Sequence, residues 1–348
     1  MTISNLDYVL GKALALFNLF FWLNLLLLCI PLIVNLTNPN TAFNPLAFVI
    51  YPLLISLPSV IFTTGIAFLF VTLLRNQPIT IVLLLGLSAV ELIYYFDKFS
   101  YILDFMAFRL PMLASEMTGF AHLDFALWQR AFYLVAGVAF LFLTAFFLDR
   151  LASHKRVKLL TGLVGMVLVA AAAVIMIRLV ALRETPIALR QEMIAVNGQW
   201  AEVPNVDILA HRIHLEQVEN KLISTSALTV KNNRSEPLAG FYFTLNPGLD
   251  ISSLTVNDTK VDFERHLQVV SINNAITLQP GEKADVEISY EGAIWESVAH
   301  LEVDQERYEF PRDYLMFALP KKYAYLQPDY VLLTSDVLWY PDTQIGYS

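Results

Sequence analysis

Apolar positions dominate the first half of the chain. No charged residue interrupts Ala13–Leu74. At about 1.5 Å of helix rise per residue this is too long for one crossing of a hydrocarbon core about 30 Å thick, so it predicts two spans. Asn35–Pro45, rich in Asn, Thr and Pro, reads as the turn between them and leaves spans over 13–34 and 46–74. Further apolar runs at 78–96, 131–148 and 159–177 are each about long enough to cross as a helix. The pattern therefore predicts five spans, which puts the two chain ends on opposite sides.

From about residue 206 the period changes to two. Alternating runs at 208–217, 222–231, 240–246, 251–256, 267–272 and 283–290 read as strands. They are separated by Asn232–Pro237, Asn246-Pro247-Gly248, Asn257-Asp258 and Gln279-Pro280-Gly281, residue types that preset the backbone angles of turns. With no helical pattern between them, the strands predict an antiparallel sheet or sandwich with one face buried and one wet. Phe241, Phe243, Val256, Val269, Ile288 and Tyr290 are the expected buried set. After Trp295 the period is lost, and Phe310, Leu315, Phe317, Tyr323, Tyr325, Tyr330, Trp339 and Tyr340 crowd together. Such a cluster either packs on the sheet or meets a partner. The expected fold is a polytopic α-helical membrane region followed by an all-β antiparallel domain. Its parts are a transmembrane region over 1–190, a linker over 191–205, a β-domain over 206–300 and an aromatic-rich extension over 301–348.

Composition agrees with a bilayer as one solvent. Hydrophobic residues make up 56% of the chain, charged residues 16%, and the mean hydropathy is +0.55, more apolar surface than a water-soluble core of this size absorbs. Charge divides the chain at the same place, with a net +4 over residues 1–190 and −12 over 191–348. An acidic domain argues against nucleic acid, which needs a basic surface to release counterions. Orientation follows from Lys and Arg near the span ends. Arg150, Lys155, Arg156 and Lys158 fill the loop at 149–158, Arg75 follows the second span, and 35–45 has no basic residue. Those basic loops are expected on the cytoplasmic side, which sends residues 178–348 outside. Arg178, Arg183 and Arg190 stand against this, although long exported domains cross largely regardless of charge.

Candidate chemistry is sparse. Glu91 is the one ionisable residue well inside an apolar run and is the candidate intramembrane functional residue, since a charge there is costly unless used. It lies about a turn from Asp97 and Lys98, so a carboxylate reaching up to the interface is the competing reading. The stretch 97–130 mixes aromatics, charges and a proline, and reads either as an interfacial amphipathic helix or as a re-entrant element. Pro52 and Pro58 predict a bend in the second span or a short helix before a full one. His211 and His214, three apart on a strand, point to opposite faces and cannot share a metal. Cys29 is the only cysteine, so neither an internal disulfide nor a cysteine zinc site can form. No H-E-x-x-H helix, G-x-S-x-G elbow or phosphate loop occurs, so no catalytic, cofactor-binding or metal residue is assigned and no enzyme activity is expected of this chain.

Two stretches resemble known families. Tyr8-Val-Leu-Gly-Lys12, Leu57–Phe68 and Leu73-Leu-Arg-Asn76 look like the permease subunits of type-2 ATP-binding cassette exporters. Ala227–Asn233, Phe243–Leu249, Leu254–Asn257, Leu278–Gly281, Ile288–Gly292 and Val337–Pro341 are similar to the N-terminal β-domain of zinc metallopeptidases of the aminopeptidase N type. Bacterial proteins that join the two are a family, and the chain resembles a central slice of one. It has five expected spans against the six usual for such a permease, and it stops at Ser348, before the family's zinc helix. The resemblance implies a multi-pass protein of the bacterial inner membrane that works with a separate ATP-binding cassette subunit. It further implies a peptidase-like domain or second permease half as partner. A scaffold for a zinc aminopeptidase whose catalytic domain lies on another chain, and a non-transporting anchor for a binding domain, are the alternatives.

Overall fold

The computed structural model of the protein describes residues 4–38, 45–95, 101–108, 110, 114–115, 119–120, 123–150, 155–303, 308, 323–327 and 330–345. The chain divides into a helical unit and a β unit, with the break in the main chain between Arg183 and Glu184.

Five helices of the described residues are long and apolar enough to cross a membrane: α1 (Asn5–Thr37), α2 (Ala47–Leu74), α3 (Gln77–Tyr94), α4 (Leu123–Phe147) and α5 (Lys155–Trp200). Several begin earlier than their apolar runs, because caps rather than hydropathy set helix ends. At α1 the Ser4 hydroxyl accepts from Asp7 N at 3.1 Å while the Asp7 carboxylate accepts from Ser4 N at 3.0 Å, a reciprocal capping box. Asn76 caps α3 in the same sense, accepting from Ile79 N at 3.2 Å. The two prolines of α2 do not divide it. Pro58 has no N–H to offer, and the preceding turn, Pro52–Ser56, widens to a π-helix in which Leu57 N reaches back to Pro52 O.

α4 is the centre of the helical unit. It crosses α2 where Gly65 faces Gly137, and a Cβ on Gly65 would lie 2.4 Å from Gly137 O. Apolar burial gives helices in lipid no reason to associate, so such backbone-to-backbone approach supplies the dispersion contact instead. At the other end of α4, Leu141 and Ala145 pack on Val9 and Ala13 of α1, and Asn5 Nδ2 donates to Leu148 O at 2.6 Å.

The β unit is an antiparallel sandwich. One sheet has the order β1-β2-β8-β4-β5, from β1 (Asp207–Val218), β2 (Lys221–Lys231), β4 (Leu249–Val256), β5 (Thr259–Lys260) and β8 (Lys283–Gly292). The other has the order β3-β7-β6, from β3 (Leu238–Thr244), β6 (Glu264–His266) and β7 (Val269–Leu278). A short hairpin, β9 (Ala324–Gln327) with β10 (Tyr330–Leu333), follows. The turns behave as their residues dictate. Asn257 and Asp258, at φ 49° and 61°, form the tight link from β4 to β5, and Gly281 takes φ 81° in the turn closed by Glu282 N on Gln279 O.

All six residues expected to be buried are buried, from Phe243 at 0% exposed to Phe241 at 3%. The one-wet-face expectation fails for the smaller sheet: Phe241, Tyr242, Phe243 and Thr244 are buried in succession. One face of β3 meets the larger sheet through Phe241 and Phe243, and the other meets the end of α5, where Val196 and Trp200 pack on Tyr242 and Val269. The expected linker at 191–205 is therefore helical to Trp200 and part of the β unit's core. Leu189, Met193, Val196 and Trp200 recur at helical spacing, and Gln268 Nε2 ties the helix down by donating to Met193 O and Asn197 Oδ1, each at 2.7 Å.

Of the aromatic extension, Phe310, Leu315 and Phe317 lie outside the described residues. Trp339 packs against both adjoining core clusters of the β unit, its ring centroid 4.8 Å from that of Tyr340, while Tyr323 packs in one of them.

A buried polar cluster as candidate functional site

The segment 101–108 between α3 and α4 is irregular, and its buried backbone oxygens need donors. Side chains of the flanking helices provide them. Gln129 Nε2 donates to Tyr101 O at 2.6 Å and to Asp104 O at 3.0 Å, and Tyr133 Oη donates to Ile102 O at 2.7 Å. Ser59 Oγ, from α2, donates to Phe105 O at 2.8 Å. Arg130 gives Nη2 to Asp104 O at 2.6 Å, Nη1 to Phe105 O at 3.2 Å and Ser59 Oγ at 3.1 Å, and Nε to Gln129 Oε1 at 2.6 Å. Ile102 and Phe105 are buried, and Phe105 stands 5.5 Å from the Phe62 ring. Residues 101–108 are thus folded inward, and the last eight residues of 97–130, from Leu123, are the first two turns of α4.

Glu91 belongs to this cluster. It opens a π-helical turn, Glu91–Tyr95, at the end of α3 and is 3% exposed. Its Oε1 accepts from Met106 N at 2.9 Å, whereas Oε2 is buried with no hydrogen-bond donor among the described residues. The carboxyl of Asp104, 2% exposed, lies alongside and accepts from Phe108 N at 2.9 Å. Glu91 is covered by the segment 101–108 rather than open to solvent. Sequence reasoning found Glu91 but missed Asp104, Gln129, Arg130 and Tyr133. Ala126, Gln129, Arg130, Tyr133, Ala136 and Gly137 are buried at helical spacing, a stripe that could have placed Arg130 inside α4 rather than at a loop end.

A second feature of the helical unit is a cleft of about 290 Å³ between α1 and α2, lined by Phe17, Leu28, Leu53 and Val60. One polar pair marks it, Ser56 Oγ donating to Asn24 Oδ1 at 2.9 Å.

Residues that carry the permease resemblance fall at three places, of which Leu73–Asn76 joins the end of α2 to the cap of α3. Tyr8 lies at the start of α1 against Arg150, which donates to its hydroxyl and stacks 4.4 Å over its ring. Leu57–Phe68 contains Ser59, Phe62 and Gly65, the α2 face that meets α4 and the polar cluster. Beside Arg150, the Asp149 carboxylate is held below its usual range by Lys158, 2.6 Å away.

In the β unit the polar groups at the centre are structural. The stretches 243–249, 288–292 and 337–341 converge near Asn246, whose Nδ2 donates to Val337 O at 2.7 Å and Trp295 O at 3.1 Å. Its Oδ1 accepts from Gly248 N at 2.9 Å and Trp295 N at 3.0 Å. Arg265 donates to Asn246 O at 2.6 Å and to Leu249 O, and burial pushes its guanidinium below the ordinary arginine value. Arg190, near the end of α5, is caged by the carbonyls of Ser297, Ala299, His300 and Val303, with the Tyr308 ring 3.9 Å away. His211 turns inward, edge-on to Tyr340 at 5.6 Å, while His214 is exposed beside Glu216 at 3.4 Å. Among the described residues, no three His, Cys, Asp or Glu side chains stand where they could hold a metal ion.

No family model matches the chain, and no curated protein does. Among solved structures, it is similar to an M1 zinc metallopeptidase from Deinococcus radiodurans, with 26% identity over 26% of this chain and 21% of that chain, at a TM-score of 0.24. A mutant of a two-domain M1 zinc metallopeptidase bound to L-arginine gives the same figures, and one bound to L-tryptophan gives 24% identity. The likeness therefore spans about a fifth, 21%, of the length of those proteins, and it is a likeness to M1 metallopeptidases over that segment alone.

Proposed function

We propose that the chain is a membrane component of an ATP-binding cassette transport system, a partial type-2 permease that displays an aminopeptidase-N-like β-domain outside the cytoplasm to bind or dock a partner. The observation that supports it is the course of α5. One uninterrupted helix of 46 residues contains the most apolar of the candidate spans and ends as a core element of the β unit. The permease part of the reading rests on the resemblance of Tyr8–Lys12 and Leu57–Phe68 and on the polar cluster, since buried ionisable groups among spans mark pathways more often than packing. A separate cassette subunit follows, because the chain has no phosphate loop of its own.

Affinity purification of the intact tagged chain from its native membrane, with quantitative mass spectrometry, tests this. Recovery of an ATP-binding cassette subunit in fixed ratio supports the reading. Fixed-ratio recovery of a chain bearing an H-E-x-x-H helix, with no cassette subunit, replaces it by the scaffold of a split aminopeptidase. Topology is tested separately: protease added to intact spheroplasts removes the β-domain, and full protection there reverses the orientation.

A further inference from the structure

Six cations of the helical unit gather at one end of it. Lys12 and Arg75 bound the charge-free run Ala13–Leu74, and Arg150, Lys155, Arg156 and Lys158 lie where α4 ends and α5 begins. Packing brings these ends together: Val9 and Ala13 of α1 meet Leu141 and Ala145 of α4, with Phe68 of α2 beside them, and Asn5 Nδ2 donates to Leu148 O at 2.6 Å. Lys158 pairs with Asp149 at 2.6 Å, and Arg75 stands close enough to help hold that carboxylate low. Arg150 donates to the Tyr8 hydroxyl, and Lys12 Nζ lies 5.0 Å from the centroid of the same ring. The same end holds two acids, Asp149 and Asp7, and Asp7 is engaged by the cap at Ser4. Lys12, Arg75, Arg150, Lys155 and Arg156 are exposed and make no ion pair among the described residues, which leaves a net +4. Exposed apolar side chains begin at the same place. Leu19 and Leu23 follow Lys12 on one face of α1, 63% and 48% exposed, and extend about 17 Å from it along the axis, roughly one leaflet of a core about 30 Å thick. A ligand that meets bare cations and then an exposed apolar track is both anionic and amphipathic, which describes a phospholipid rather than a water-soluble acid.

We propose that this end of the helical unit binds the phosphate of an anionic phospholipid, with Arg150 and Lys12 beside Tyr8 as its anchoring cations and an acyl chain along Leu19 and Leu23. The half-buried Tyr8 ring keeps both cations at the level where the charge-free run begins, the level at which aromatic rings and lipid phosphates meet in a bilayer. Lys158 is committed to Asp149 and is not an anchor. The site needs the helical unit to lie in a bilayer, but it needs neither transport by the chain nor a particular orientation.

The test uses the full chain reconstituted in phosphatidylcholine vesicles with a trace of spin-labelled phosphatidylglycerol or spin-labelled phosphatidylcholine. Electron paramagnetic resonance compares the motionally restricted fractions of the two labels. Phosphatidylglycerol should associate about fivefold more strongly or better, the preference that one cation near a bilayer surface supplies. The paired variant Lys12→Gln with Arg150→Gln should remove that preference, and a control pair in the β unit, Lys221→Gln with Lys260→Gln, should keep it. Ionic strength gives a measurement independent of variant folding. The preference of the unsubstituted chain should fall from about 0.1 M to about 1 M salt, as the screening length shortens from about 10 Å to about 3 Å. Equal restricted fractions for the two lipids, a preference that survives the paired variant or high salt, or an equal loss in the control pair overturns the proposal. So does displacement of the labelled phosphatidylglycerol by inorganic phosphate at constant ionic strength, which would make this a site for free phosphate. Cassette-subunit recovery is a separate readout, so failure of the transport reading leaves this result interpretable.

Discussion

Asn246 in the β unit and Glu91 in the helical unit are both buried polar residues, and they are treated in opposite ways. Asn246 uses both amide hydrogens and both oxygen lone pairs on backbone groups of three chain segments. Glu91 has one oxygen engaged and the other without a donor among the described residues. Among the described residues, two further groups without a partner, His211 Nε2 and Gln268 Oε1 in the β unit, belong to side chains that can stay neutral. A neutral orphan costs about 1–3 kcal/mol, whereas a bare ionised carboxylate in an apolar setting costs far more. The contrast separates polar groups that hold a fold together from one that is held by the fold.

The largest expected effect comes from breaking the first kind. Asn246→Ala leaves Trp295 O and Val337 O without their donor and the N–H groups of Gly248 and Trp295 without their acceptor. Several orphans in one place predict a loss of about 3–5 kcal/mol. Thermal unfolding of the detergent-solubilised chain, followed by the strand signal in circular dichroism, measures it. A change below about 1 kcal/mol would mean that water replaces the amide and that the contrast with Glu91 is overstated.

Next comes the contact that seats the polar cluster. A Cβ on Gly137 would lie 2.6 Å from Phe62 N, so Gly137→Val must push α2 and α4 apart. Overpacking of this kind costs about 1–3 kcal/mol. It should also disturb the Phe62–Tyr133 edge contact at 4.9 Å and loosen the carbonyl cage on 101–105. Faster hydrogen exchange at those amides, with the β unit's exchange unchanged, is the expected pattern.

Much of this contrast could be read from the chain on one side only. In the β unit, strand period and turn residues are local signals, and they fixed the faces of Phe241, Phe243, Val256, Val269, Ile288 and Tyr290. They could not say that the second face of β3 is covered, because the cover comes from α5, whose Met193, Val196 and Trp200 follow Pro186 and fall in the expected linker over 191–205. In the helical unit the number of spans is legible from apolar run length alone. Asp104, Gln129 and Arg130 are not, because a charge at the edge of an apolar run reads as solvated until the segment folds back over it. Glu91 stood out only because apolar residues surround it on both sides in sequence.

A smaller effect is expected from altering the open residue itself. Glu91→Gln keeps an acceptor for Met106 N and adds an N–H that can face Asp104. The helical unit should therefore keep its stability to within about 1 kcal/mol, the range of well-matched substitutions. Loss of helical signal or of nanodisc incorporation would move Glu91 to the structural class of Asn246.

The smallest effect is a slope against pH, and it belongs to His211. Burial holds its imidazole below the ordinary histidine value, and Asp342 opposes this only in part. The folded protein then binds less proton than the unfolded chain once the pH falls into the range of a free histidine, about 6.5. Because stability rises with pH wherever the unfolded state binds more protons, His211 makes the β unit less stable on acidification through that range. The neutral ring is tolerated beside Tyr340 although Nε2 has no partner among the described residues, and the charged ring is not. His211→Gln should flatten the acid side of a plot of melting temperature against pH while leaving the alkaline side unchanged. A steeper acid limb in the variant would show that attraction to Asp342 outweighs burial, and His211 would then be a charged group that the β unit stabilises.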